Sequence, residues 1–289
     1  MIIHELHYSN TNTYLIEVEK GKLLFDTGWA GTFPAFCRAL GEIKVAVQDI
    51  DLILISHYHP DHMGIAQEIA DQGAALLVPD VQEKFVHAAD NVFEKEKNRA
   101  FIPVRDDRIR RITLDESTDV LNETGIGGRI IHTPGHSEDS ISLFLDSGEL
   151  FVGDLNPLYE LEAHKGTQIE ESWKKLLILG PKKVYYGHAK TVMICEDKGK
   201  LQAESKAGSK AELRTESKAD FKTEPKTDLD LYGLVSAIIR LIDKGCDSMS
   251  IQKKTGADAT FVQDVMRMYL THQNVGVQGI LDRIEIKNK

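Results

Sequence analysis

The chain has 289 residues, with 35 Lys and Arg against 45 Asp and Glu, a net charge of −10, 42% hydrophobic residues and 28% charged ones. That length suits one large domain, or a domain of about 200 residues with a small partner. The acidic balance argues against a protein that coats nucleic acid or anionic membrane by bulk attraction, and no apolar run reaches the roughly 18 to 20 residues of a membrane span.

Met1-Ile2-Ile3-His4-Glu5 lacks the basic start and long apolar stretch of a signal peptide. Cys37, Cys195 and Cys246 are far apart and odd in number, so no disulfide framework is expected. A cytoplasmic location follows as the expectation, with each cysteine read as a small buried apolar residue.

Ile2 to Phe25 reads as two or three strands with a turn at Glu19-Lys20-Gly21-Lys22, ending at Asp26-Thr27-Gly28. A short helix is expected over Thr32 to Gly41. Asp51-Leu52-Ile53-Leu54-Ile55-Ser56 reads as a strand buried on both faces. His57 to His62 follows as a loop, then a helix over Met63 to Gln72 and a buried strand over Ala74 to Val78, stopped by Pro79. This strand–helix–strand order predicts an α/β layered domain. Val81 to Asn98 is helical in pattern, and Arg108, Arg110 and Arg111 form a basic knot in a mixed stretch.

Gly128 to Ile131 is the next strand, followed by a hairpin of Ser140 to Leu145 and Glu149 to Gly153. An amphipathic helix over Ile169 to Leu179 and a strand over Lys183 to Tyr186 complete the pattern. Glu196 to Asp228 is rich in charges of both signs, with Glu-Ser-Lys-Ala recurring at 204 and 216, and reads as a flexible linker. Beyond it come a helix over Leu231 to Ile242, a helix–turn–helix over Met249 to His272 and a hairpin over Val275 to Ile286. Together they resemble a winged-helix module. The expected domains are therefore 1–195, a linker at 196–228, and 229–289.

Chemistry concentrates in His57-Tyr58-His59-Pro60-Asp61-His62, four metal-ligand types directly after a buried strand. Imidazole and carboxylate suit zinc, iron and manganese. Further candidates end predicted strands: His136 in Thr-Pro-Gly-His-Ser, Asp154 in Phe-Val-Gly-Asp, and His188 in Tyr-Tyr-Gly-His. Sites of open α/β sheets collect at such ends, and a preceding glycine lets the backbone turn without a Cβ clash. His4, His7, His87, His132 and His272 lack such context and read as ordinary surface or core residues. Tyr58 and His164 are weaker candidates for the cleft wall. Arg108, Arg110 and Arg111 read as a solvated face before an anion site.

With Asp26 in Phe-Asp-Thr-Gly added, the set is similar to that of the metallo-β-lactamase-fold hydrolase superfamily, over about residues 1 to 195. The resemblance implies a four-layer αββα sandwich. It implies that His57, His59 and His136 hold one metal, that Asp61, His62 and His188 hold a second, that Asp154 bridges them, and that Asp26 supports the ligand loop. Seven ligands exceed one tetrahedral ion, so two divalent ions are expected, Zn2+ first with Fe or Mn as alternatives. Such ions can share a hydroxide, whose proton Asp61 or Asp154 would hold and later move.

The secreted lactamases of the family carry a Cys ligand, whereas Asp154 resembles the glyoxalase-II-like, lactonase-like and nuclease-like branches. The expected function is hydrolysis of a carboxylic ester, thioester or lactone. The expected partner is a small molecule rather than nucleic acid or membrane, with a homodimer left open. Two alternatives remain. One is a phosphodiesterase or ribonuclease aided by the C-terminal module, as in endoribonuclease-like relatives. The other is an iron-dependent redox enzyme or a DNA-binding regulator.

Overall fold

The computed structural model describes residues 1–194, 228–271 and 276–281, with only the backbone at 228–230 and 271. The chain divides into two compact units, Met1–Thr191 and Val192–Lys289.

Largely apolar strands, whose successive side chains point to opposite faces, build the layers of the first unit. One sheet runs β1 (Ile2–Leu6), β2 (Thr13–Glu17), β3 (Lys22–Phe25), β4 (Leu52–Leu54), β5 (Ala75–Pro79) and β6 (Ile109–Ile112) in that order. Its first two pairings are antiparallel and the rest parallel. The second sheet, within this unit, runs β10 (Lys183–Tyr185), β9 (Glu149–Phe151), β8 (Ile141–Leu145) and β7 (Gly128–His132).

Leu23, Phe25, Leu52, Leu54 and Leu77 from one sheet meet Ile130, Ile141, Leu143, Leu145 and Phe151 from the other in a single buried cluster. The intervening residues Leu24, Ile53 and Leu76 point the opposite way. They pack with Phe36 and Leu40 of α1 (Phe33–Glu42), with Met63 of α2 (Pro60–Met63) and Ile69 of α3 (Ala66–Ala70), and with Phe93 of α4 (Asp90–Lys95). A further helix, α5 (Ser117–Glu123), contacts β7. On α6 (Gln168–Leu177), Ile169, Trp173 and Leu176 are buried on one face. The result is an α/β fold of two mixed sheets with helices, as expected.

The expected loop at 57–62 is half helical. Pro60 opens α2 at a first-turn position, where its fixed φ suits a helix and its missing N–H costs no bond. The stretch expected as one helix from Val81 is a 3-10 turn over Asp80–Phe85 followed by α4. Cys37 is exposed, contrary to expectation, and Cys246 is buried.

The second unit begins with β11 (Val192–Met193) and continues with α7 (Asp228–Asp243), α8 (Ser248–Thr255) and α9 (Ala259–Thr271). Asp247 caps α8, its carboxylate accepting from the Ser250 N–H at 2.7 Å, and Gly256 ends it at φ 70°. The three helices pack on one another, with Val235, Ile238, Ile251, Val262 and Val265 buried.

The hairpin expected over 275–286 is corrected where residues are described. Residues 277–281 are helical, and the Ile280 N–H donates to Gly276 O, four residues back. A short apolar run with two glycines carries no decisive period. The linker at 196–227, Cys195, His272 and the rest of the hairpin lie outside the described residues. No helix among the described residues is long and apolar enough to cross a membrane.

Candidate metal centre

Strand ends converge to build the site. Because β3 and β4 are parallel neighbours, Asp26 emerges beside Ser56 and His57. Asp26 adopts φ 61°, a left-handed backbone that turns its buried carboxylate toward the 56–62 segment. Its Oδ1 accepts the Ser56 N–H at 2.7 Å, and its Oδ2 accepts the Ser56 hydroxyl at 2.9 Å and His62 Nδ1 at 2.8 Å. The α2 turn is tied down by Thr27, which donates twice to His62 O, and by the Thr11 hydroxyl on Asp61 O. His188 follows β10 and its Nδ1 bonds Asn10 O at 3.0 Å.

The structure brings all seven expected ligand candidates together. Three groups have ligand atoms within 4.8 Å of one another and could hold an ion: His57, His59 and His136; His57, His62 and Asp154; Asp61, His62 and His188. His59 Nδ1 lies 2.9 Å from His57 Nε2 and 3.1 Å from His136 Nε2. His188 Nε2 lies 3.0 Å from Asp61 Oδ2 and 3.5 Å from Asp154 Oδ2. Asp154 stands between the groups, 3.3 Å from His62 Nε2 and 3.7 Å from His136 Nε2. Ligands around a tetrahedral zinc ion are separated by about 3.3 Å, so these spacings fit.

Protonation states follow from the same geometry. Burial and the neighbouring His62 hold His57 well below the usual imidazole range, and burial also depresses His136. Burial opposes ionisation of Asp61, but the His188 hydrogen bond and the nearby His62 outweigh it and bring Asp61 down to about 2. Asp154 is likewise depressed, burial being outweighed by His62. Burial opposes charge on His62, yet Asp26 and Asp154 outweigh it and raise it well above its ordinary value. His188 is raised mainly by its bond to Asp61.

Two buried atoms, His62 Nε2 and Asp154 Oδ1, have no hydrogen-bond partner. The bond to Asp26 turns His62 Nδ1 away from the site and leaves Nε2 facing Asp154 Oδ1 at 3.3 Å. The space between these two atoms takes either the second proton of His62, whose pKa is raised, or a cation, and an imidazole nitrogen opposed to a carboxylate oxygen is a donor set that fits a metal ion.

The metallo-β-lactamase superfamily profile matches residues 8–188. The chain belongs to that superfamily. The beta-lactamase-like protein 2 homolog of Drosophila melanogaster is 29% identical over 202 residues, covering 66% of this chain and 62% of that protein. An atrochrysone carboxyl ACP thioesterase of Aspergillus chevalieri is 27% identical over 147 residues, covering 50% of this chain and 39% of that protein. The chain thus spans less than two thirds of the length of these curated relatives. A crystal structure of TTHA1623 in a di-iron-bound form shares the fold, at 22% identity and TM-score 0.50, covering 67% of this chain and 94% of the other.

Glycines of this superfamily member are fitted to the site. A Cβ on Gly187 would stand 2.5 Å from Asp154 Oδ1 and 2.8 Å from His62 Cε1. One on Gly153, at φ 55°, would strike the Ser56 side chain. Gly187→Ala is expected to weaken metal binding about 10- to 100-fold, read as metal retained per chain after dialysis. Gly41→Ala, in open space, is the control and should leave it unchanged.

Several candidates find other roles. Tyr58 is 2% exposed and packs in the core rather than on a cleft. Arg110 forms a two-pronged pair with Glu123, and Arg111 pairs with Glu83 and Asp106. His4 pairs with Glu17, His7 with Glu5 and His87 with Asp90, while His132 bonds Glu138 O. His164 lies outside the three groups. The sequence reading passed over Ser56, Gln82 and Asp139. Only Ser56, adjoining the motif, carried a local signal.

Proposed function

We propose that the protein is a dinuclear metal-dependent hydrolase of a carboxylic ester, thioester or lactone, with thioesters the first substrates to test. The observation that carries this reading is Asp154, whose Oδ2 lies 3.7 Å from His136 of one group and 3.5 Å from His188 of the other, while Oδ1 faces His62 at 3.3 Å. In this reading His57, His59 and His136 hold one divalent ion, Asp61, His62 and His188 hold the second, and Asp154 is shared. Zn2+ is the first candidate, with Fe and Mn as alternatives. The thioesterase named above and the di-iron form of TTHA1623 support the activity and the ion pair respectively.

Bound divalent ions supply an acidified water and a Lewis acid for the carbonyl under attack. The chain's own groups do the rest. Asp61 turns Oδ2 to His188, leaving Oδ1 to hold the proton of an attacking water. Asp61 or Asp154, ionised before reaction, can take that proton and return it to the leaving thiolate or alkoxide. Asp26 and Ser56 keep the His62 and His57 rings oriented without taking part in proton transfer.

A substrate panel tests the reading: a thioester, a lactone, bis-p-nitrophenyl phosphate and a short RNA. Turnover of an acyl substrate is expected, together with weakened metal binding in His59→Ala. RNA cleavage without acyl turnover would replace this reading with a nuclease. The pairing of Arg110 and Arg111 with carboxylates gives phosphate no ready guanidinium there.

A further inference from the structure

Two chain segments supply the all-imidazole group, His57 and His59 from one and His136 from the other. They are joined by bonds that involve no candidate ligand side chain. The Ile141 N–H donates to Ser56 O at 2.8 Å. The Tyr58 N–H, between His57 and His59, donates to Asp139 Oδ2 at 2.7 Å. Above both, the Gln82 side-chain amide is shared among Ile55 O at 3.0 Å, Ser56 O at 3.2 Å and Asp139 O at 3.0 Å. Gln82 is fully buried and Asp139 is 4% exposed.

Gln82 comes from neither segment. It sits on the 3-10 turn Asp80–Phe85 that follows β5, so a third element locks the other two in register. Buried hydrogen bonds of this kind are rigid, because loss of one partner leaves the other desolvated and unpaired. None of these bonds ends on Asp61, His62 or His188. Those three are tied through Thr11, Thr27, Asp26 and Asn10, and Ser56 is shared, its carbonyl in the first network and its hydroxyl 3.3 Å from His62 Nδ1.

We infer that Asp139 and Gln82 are positioning residues for one ion of the pair: they set the distance of His136 from His57 and His59, and so control occupancy of that group independently of the Asp61–His62–His188 group. The inference rests on the two-ion reading above. Asp139 acts as a hydrogen-bond acceptor for the Tyr58 N–H, and its charge is not what matters. An asparagine carbonyl can fill that role, and alanine cannot.

The test uses the full-length chain loaded with Zn2+ or Co2+ alone. Metal per chain is measured after dialysis over a series of free-metal concentrations, and the visible spectrum of the cobalt form is recorded beside it. Wild type is expected to hold two ions. Asp139→Ala should keep one ion at wild-type affinity and lose affinity for the other by about 10- to 100-fold, with part of the cobalt spectrum lost. Asp139→Asn should stay within about threefold of wild type, since the acceptor is kept. Gln82→Met, which keeps volume and removes the donors, should resemble Asp139→Ala, and it decides by the same criterion should the alanine variant not fold.

Two-ion binding at wild-type affinity in both Asp139→Ala and Gln82→Met would overturn the inference. So would equal weakening of both ions, or an Asn variant as poor as Ala. A wild-type chain that retains fewer than two ions would instead sink the two-ion reading beneath it, which separates the two failures.

Discussion

Dialysis against a strong chelator is expected to lower acyl-substrate turnover by at least about 10³-fold, a barrier increase of about 4 kcal/mol. Added Zn2+ should restore it. The expectation follows from the shortage of other catalytic groups at the site. Among the described residues, the groups that could hold an ion consist of imidazoles and carboxylates, with no cysteine among them. The Ser56 hydroxyl, which touches His57, is buried and donates to Asp26, so it is not free to attack an acyl carbon. Metal content by elemental analysis should fall in step with activity. Unchanged turnover in chain shown to be metal-free would remove the mechanism altogether.

Asp26→Ala should damage both stability and metal binding. One carboxylate accepts three bonds, from the Ser56 N–H, the Ser56 hydroxyl and His62 Nδ1, all buried. Truncation leaves those donors desolvated and without an acceptor. By the usual cost of breaking a buried charged pair, about 3–5 kcal/mol of stability is lost. His62 also loses the bond that fixes its proton on Nδ1, so Nε2 is no longer reserved for an ion. A loss of about 10- to 100-fold in metal affinity is expected in addition. Chemical denaturation of the metal-free and metal-loaded forms separates the two effects. The metal-free variant should already be less stable than metal-free wild type. The stabilisation gained on adding metal should shrink as well. A metal-free variant as stable as wild type would show that Asp26 is no buried anchor.

Much of this centre is legible in the amino-acid sequence. The His-x-His-x-Asp-His segment packs four ligand types into six positions. His136, Asp154 and His188 each sit just after an apolar run with a glycine before them. The continuous apolar run Leu52-Ile53-Leu54-Ile55 marks a strand buried on both faces, and the two clusters on either side of that sheet are the result. The hairpin expected at 275–286 shows the opposite case. Its apolar residues follow no decisive period, and the backbone of 277–281 is helical.

What the sequence determined by itself was which side chains could bind metal, because ligand chemistry belongs to the residue and the 57–62 spacing is local. Which atoms meet was decided only by the tertiary structure. Strand order places Asp26 beside Ser56, and the bond from Gly187 N–H to Gly153 O sets His188 next to Asp154. Gln82 and Asp139 belong wholly to that second kind. Their partners are backbone carbonyls and an N–H, which every residue but proline carries, so the contacts leave no residue-type pattern along the chain and arise only when three distant segments fold against one another.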